Sequence, residues 1–207
     1  VATGPLLGRT AGWLTVSDAA SRVRIVTAAL PGLLYRVSAA PDAGIAPVVT
    51  RRGGRVWIRL RATGSDGPDE VRIVLNRDVR WDIRLPAGAG EQQLDLRGGR
   101  VTRLAVGPTG LAEIWLPDPD GTVPVTFTGG LGSLVLIAGT RAPFRIVLEE
   151  GAGSVVTPWV ANNGTPAGAV LREAGWHRAA DRYAVHAVGG TGSVLVRRYE
   201  PARPRAR

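Results

Sequence analysis

Cysteine, methionine and lysine are absent from all 207 residues, and histidine occurs only twice. Without cysteine the chain has no disulfide, no thiol nucleophile and no thiolate metal site. Without lysine a Gly-Lys-Ser/Thr phosphate loop is excluded too, because the ammonium that reaches the phosphates is missing. Long hydrophobic runs are lacking as well: stretches such as Leu134 to Ala138 fall far short of the roughly 20 residues a membrane helix needs. Val1 to Gly12 carry no basic segment followed by an apolar one, so no signal peptide is expected in the chain as it stands, and a soluble chain is expected. Val1 in place of methionine fits either an alternative start codon or removal of an upstream leader.

What is present points to packed β structure. Hydrophobic residues make up 44% and charged residues 21%, a globular rather than a disordered balance. A chain of this length buries roughly 70% of the surface that its unfolded form exposes, enough for one core without a metal. The 28 glycines and 15 prolines sit between short apolar runs, where they break helices and supply tight turns. All 26 basic residues are arginine, against 17 acidic ones, giving a net charge of +9. A GC-rich coding sequence accounts for the arginine bias; the charge itself attracts polyanions, whether nucleic acid, anionic lipid or anionic wall polymer.

Alternation of period two is clearest at Val56, Ile58 and Leu60, which share one face while Arg55, Trp57, Arg59 and Arg61 take the other. It recurs through Val71, Ile73 and Leu75, then through Val79, Trp81, Ile83 and Leu85, and further strands are expected at Arg22 to Val26 and Leu34 to Ser38. From residue 79 onward an internal echo appears: Ile83-Arg84-Leu85-Pro86 returns as Ile114-Trp115-Leu116-Pro117 and as Ile146-Val147-Leu148-Glu149, with steps of 31 and 32 residues. A second pattern, Gly-x-Gly-Ser-aliphatic, opens apolar runs at Gly130, Gly151 and Gly190. Together these predict one all-β domain over residues 1–197, with approximate 31-residue repeats of stacked strands. The architecture is a single sheet or β-solenoid-like; a β-sandwich of hairpins gives similar turn spacing and is the alternative. Ala167 to Tyr183 is the one stretch with helical propensity, and residues 198–207 are expected to form a disordered basic tail.

Reactive side chains are sparse. His177 and His186 are the only candidates for a general base near neutrality. Ser133, Ser154 and Ser193 lie in Gly-x-Gly-Ser turns rather than in a Gly-x-Ser-x-Gly nucleophile elbow. Asp118-Pro119-Asp120-Gly121, and the loop with Asp66, Asp69 and Glu70, offer carboxylates for a hard cation but read first as surface turns. The feature with most binding chemistry is the strand face of Arg55, Trp57, Arg59 and Arg61, extended to Arg72, Arg80 and Arg84 if their strands are neighbours. Guanidinium groups make bidentate contacts to phosphate or carboxylate, and an indole among them offers a stacking surface. The plainer reading is a solvated face on which arginine stems cover Trp57.

Residues Val79 to Val156, with their Gly-x-Gly-Ser turns and Ile-x-Leu-Pro strands, and the closing Val188 to Val194, resemble the bacterial toast-rack family of adhesin-like domains. The likeness spans about half of the chain and rests on glycine and aliphatic spacing. It implies short strands stacked into a rack, an envelope or extracytoplasmic location, and no catalytic residue to carry over. The expectation is therefore a non-enzymatic structural or interaction domain without a cofactor. Its partner is left open between a protein and an anionic envelope polymer, with self-association through sheet edges and nucleic acid not excluded. A polyanion-binding module on the Arg/Trp face is the alternative function, and a hydrolase a minor one.

Overall fold

Short alternating segments between glycine turns become strands throughout the structure, a computed structural model that describes residues 1–139 and 142–199. Nineteen strands form two sheets, and the described residues contain no helix. The chain winds back and forth between the sheets in seven coils. Each coil places one strand in the nine-stranded sheet II and the next in the ten-stranded sheet I. In chain order the coils are β2 (Ala11–Val16) with β3 (Ala20–Ala28), β6 (Arg55–Ala62) with β7 (Glu70–Asn76), β8 (Arg80–Leu85) with β9 (Ala89–Asp95), and β10 (Arg100–Val106) with β11 (Thr109–Leu116). They continue as β12 (Thr122–Phe127) with β13 (Leu131–Ala138), β14 (Phe144–Leu148) with β15 (Ala152–Val156), and β18 (Arg182–Ala187) with β19 (Thr191–Arg198). Neighbouring coils pair in parallel on both sheets. The all-β stacked-strand expectation holds; of its variants, the single sheet is corrected to two facing sheets, and the hairpin sandwich gives way to parallel coils.

Stacking order differs from chain order at both ends. In sheet II the order is β6-β2-β8-β10-β12-β18-β14, so the first coil sits one layer in, under β6/β7, and the last sits one layer in, under β14/β15. The first and last coils thereby gain hydrogen-bonded neighbours on two sides. The exposed ends of the stack are closed by strands running the other way: β4 (Leu33–Ser38) and β5 (Ile45–Arg52) at one end, β16 (Ala161–Thr165) and β17 (Ala169–Arg172) at the other. β1 (Ala2–Pro5) adds to β4. Such edges are short or carry proline, as with Pro47 in β5 and Pro5 in β1, which limits further strand pairing.

The core is a set of lateral ladders between the sheets. Val56, Leu14, Ile83, Leu104, Val125, Val185 and Ile146 follow one another across sheet II. Ile73, Ile25, Leu94, Ile114, Leu136 and Val196 do the same across sheet I. All are buried, and full burial of one such side chain stabilises by about 1.5–3 kcal/mol. Register between adjacent coils sets the true period: Ala89 faces Thr109, Thr109 faces Leu131, and Leu104 faces Val125, steps of 20, 22 and 21 residues. The 31-residue echo is therefore one and a half coils. It links Ile83 in sheet II to Ile114 in sheet I and back to Ile146 in sheet II, so these residues do not stack as successive layers.

The Gly-x-Gly-Ser segments do stack. They open β13, β19 and β15, with Ser133 in register with Ser193 and Ser193 with Ser154. Their central glycines continue a column of Gly90, Gly110, Gly132, Gly192 and Gly153, one per coil. A Cβ on Gly110 would lie 2.8 Å from the Gly90 carbonyl oxygen, and one on Gly153 would lie 2.7 Å from that of Gly192; the contacts at Gly132 and Gly192 are closer still. The backbones approach at this corner too tightly for any side chain. Ala167 to Tyr183, expected to be helical, instead holds β17 between Gly168 at φ +76° and Gly175 at φ +83°, left-handed conformations that a helix does not accommodate. Arg198 and Tyr199, assigned above to the tail, belong to the fold. Arg198 ends β19 and pairs with Glu173 at 2.7 Å, and the Tyr199 ring lies 5.8 Å from that of Trp115. The rest of the expected tail, residues 200–207, lies outside the described residues.

One ladder contains an oddity. Gln92 is fully buried between Val23 and Ala112, and neither its amide nitrogen nor its oxygen has a hydrogen-bond partner. Leaving such a group unsatisfied costs about 1–3 kcal/mol. Gln92→Leu is therefore expected to raise the midpoint of thermal unfolding, and a fall would mean that the amide is satisfied in solution. Gly132→Ala is expected to lower stability by about 1–3 kcal/mol in denaturant titration, as overpacking against backbone does. Gly121→Ala, in a turn with open space around it but a left-handed φ of +75°, should cost less.

Candidate functional site

β6 presents Arg55, Trp57, Arg59 and Arg61 outward because Val56, Ile58 and Leu60 turn inward. Arg80 and Arg84 project from the same outer face of sheet II, on β8, but β2 stands between the two strands. Arg72 does not join them. It lies on β7, in sheet I, because each coil sends its two strands to opposite sheets, so β6 and β7 are not paired.

Register completes the face with residues the sequence reading left out. Across β5, β6, β2, β8 and β10 runs the row Arg52, Arg55, Trp13, Asp82 and Arg103. Arg100 is the register partner of Arg80. The signal for Arg100 was the 20-residue step from Arg80, hidden behind the stronger 31-residue echo; for Trp13 it was the alternation of Trp13 and Thr15 with Leu14 and Val16.

The result is a basic face in which β2, with Ala11, Trp13 and Thr15 outward, lies between β6 on one side and β8 and β10 on the other. Trp13 lies across Gly54, where a Cβ would come within 3.2 Å of the indole, and the Arg55 guanidinium stands 5.2 Å from the ring centre. Arg84 makes a forked pair with Asp82 at 3.0 and 3.1 Å, and these hydrogen bonds raise its pKa above the ordinary arginine value. Asp18 accepts the Leu60 N–H at 2.8 Å and lies 3.7 Å from Arg59. Among the described residues, Arg52, Arg55, Arg61, Arg80, Arg100 and Arg103 have no ion pair.

Sheet I holds several arginines in ion pairs and leaves Arg36, Arg72 and Arg197 without one among the described residues. Arg22 pairs with Glu70 at 3.3 Å and Glu91 at 2.6 Å, Arg24 pairs with Glu70 at 3.2 Å, and Arg97 holds Asp95 at 2.9 Å while lying 4.2 Å from the Trp115 ring centre. The Arg97 hydrogen bonds hold the Asp95 carboxyl below the usual carboxylate range. A hollow of about 320 Å³ lies among Arg24, Arg72, Gln93, Asp95, Glu113 and Trp115, with charges of both signs on its walls.

The candidate catalytic groups are kept apart. His186 faces outward on sheet II, where its Nε2 lies 2.6 Å from Glu149 Oε1. Ser133 and Ser193, hydroxyls 2.6 Å apart, and Ser154 beside them face outward on sheet I. No serine-histidine contact can form across the two buried layers. His177 lies in the turn after β17, edge-on to Trp176. Asp118 to Gly121 form the turn from β11 to β12, where the Gly121 N–H donates to Asp181. Glu70 of the other acidic loop is already engaged by Arg22 and Arg24.

No family model matches the chain, and no curated protein sequence does either. Among solved structures, a candidate cell adhesion protein from Clostridium sporogenes has the same fold, with a TM-score of 0.69 over 96% of this chain and 97% of that one, at 14% identity. At that identity the likeness concerns the fold alone.

Proposed function

We propose that this chain is a non-enzymatic interaction domain that binds a polyanionic partner through the basic half of the outer face of sheet II. The observation that carries the reading is the crowding of arginine on one part of that face: Arg80 lies beside Arg100 and Arg52 beside Arg55 in register. Among the described residues these four and Arg103 have no carboxylate partner. Unpaired cations on a rigid sheet repel one another, a cost that an anionic partner removes. The separation of His186 from the serine row speaks against hydrolysis by a serine-histidine pair. A location in or at the bacterial cell envelope fits the resemblance to adhesin-like domains and the cell-adhesion description of the Clostridium protein. Within the described residues no helix is long and apolar enough to cross a membrane.

Heparin binding followed by calorimetry at several salt concentrations tests the reading. The expected result is measurable affinity at low salt, with log K falling linearly against log salt as counterions are released. The double variant Arg80→Glu/Arg103→Glu should weaken binding by about tenfold or more at low salt, because two contacts become repulsions. Absence of binding at low salt, or equal binding by the double variant, contradicts the proposal.

A further inference from the structure

The hollow of about 320 Å³ on the outer face of sheet I falls within the size range of small-molecule pockets, about 300–1,000 Å³. Its floor is the backbone of β3 and β9 at Ile25 and Leu94, whose side chains are buried in the core. Outward residues of two neighbouring rows stand around it. One row runs Arg72, Arg24, Gln93 and Glu113 on the successive strands β7, β3, β9 and β11, and the other brings Val26, Asp95 and Trp115 alongside.

Most charges here are already matched. Asp95 is held by Arg97, Glu70 and Glu91 are held by Arg22, and Arg24 has Glu70 at 3.2 Å from its Nε. Two charges of opposite sign are left. Among the described residues Arg72 has neither an ion pair nor a side-chain hydrogen bond, and Glu113 has no ion pair and accepts only the Trp115 indole N–H, at 2.9 Å on Oε1. Three strand spacings, about 14 Å, separate their backbones, with Arg24 and Gln93 between, so they do not neutralise each other.

The row therefore has a direction. Guanidinium donors, suited to a carboxylate, stand at the β7 end, and acceptors stand at the β11 end. Gln93 donates its amide N–H to Glu91, which leaves its carbonyl oxygen as an acceptor beside the hollow. A polyanion meets repulsion at Glu113, and a neutral sugar leaves both charges uncompensated. A chain with a carboxylate at one end, an ammonium at the other and an N–H between them answers each group in the row. A tripeptide, extended at about 3.3–3.6 Å per residue, covers the two strand spacings from Arg24 to Glu113, about 10 Å, with Arg72 beyond its carboxylate.

We infer that this hollow binds a short free peptide, its carboxylate on Arg72 and Arg24 and its ammonium on Glu113, with Val26 and Trp115 beside the ligand's side chains. The site lies on the face opposite the basic one and stands independently of the polyanion reading.

Trialanine titrated calorimetrically into the full chain at low salt should bind saturably. Acetylating its amino end or amidating its carboxyl end should each weaken affinity about tenfold or more, the scale of one lost charge-assisted hydrogen bond. Alanine alone, too short to reach both ends, should bind more weakly still. Substitutions assign the ends: Arg72→Gln should weaken trialanine and remove most of the effect of amidation while keeping that of acetylation. Glu113→Gln, which keeps an oxygen for the Trp115 indole, should do the reverse. Arg80→Glu/Arg103→Glu, on the other face, should leave trialanine binding unchanged, and thermal melts of each variant separate lost binding from lost folding.

Equal binding of trialanine and its two blocked forms would overturn the zwitterionic ligand, and absence of binding by all of them would overturn the hollow as a peptide site. Variants that keep both end effects at full size would overturn the assignment of Arg72 and Glu113. None of these results touches the heparin titration, which decides the polyanion reading separately.

Discussion

Every coil of this molecule has to bury its inward side chains against the coils above and below it, and a strand can do so in only one register. A slip of one residue would turn Ile83 or Ile114 to solvent and bring the charged outer residues into the core. The glycine column from Gly90 to Gly153 sits where successive backbones come too close for a Cβ, so it too belongs to one register. Parallel pairing adds a further demand, since each strand must return to the same sheet through the opposite one. The fold thus hangs on lateral aliphatic ladders whose members come from segments 20 to 22 residues apart in the middle of the stack, 60 and 39 apart around the last coil, and 42 to 69 apart around the first.

The same register arranges the surface. Once the ladder residues are fixed inward, the residues between them form rows on the outer faces at strand spacing. In sheet I one such row sets Arg22 between Glu70 and Glu91, where the charges neutralise each other, and the next sets Arg24 beside Arg72. Sheet II brings Arg80 beside Arg100 and Arg52 beside Arg55. Charges of one sign held at fixed spacing on a rigid support are poorly placed to relax, which is why a charge bias too diffuse to interpret from composition becomes a localised surface in the fold.

The sequence made the strands and their facing legible because alternation is a local property. Val56 to Leu60, Val71 to Leu75 and Val79 to Leu85 were all visible as period-two runs, and the Gly-x-Gly-Ser segments were visible as stacked turns. Layer spacing was misread because inward rows of both sheets carry the same Ile-x-Leu pattern, so half a coil resembles a whole one and 31 residues competes with 21. The candidate face suffered from the same error. Arg55 to Arg61, Arg80 and Arg84 were recognised, but Arg72 was assigned by proximity in sequence, and Trp13, Arg100 and Arg103 become neighbours of the others only once the true coil is known. The helical propensity of Ala167 to Tyr183 was overridden by pairing of β17 on β14 and by two left-handed glycines.

Placement of the last coil is the most demanding consequence of this account, because β18/β19 must enter between β12/β13 and β14/β15 rather than extend the end of the stack. The absence of native cysteine makes the order directly measurable by paired cysteine substitutions. Thr126 and His186 are register partners on the outer face, at a separation that a disulfide can span, whereas Thr126 and Val147 have β18 between them. Oxidation of Thr126→Cys/His186→Cys should give an intramolecular crosslink in the native protein, while Thr126→Cys/Val147→Cys should remain reduced. A crosslink in the second pair but not the first would contradict the stacking order and, with it, the ladders on which the fold is built.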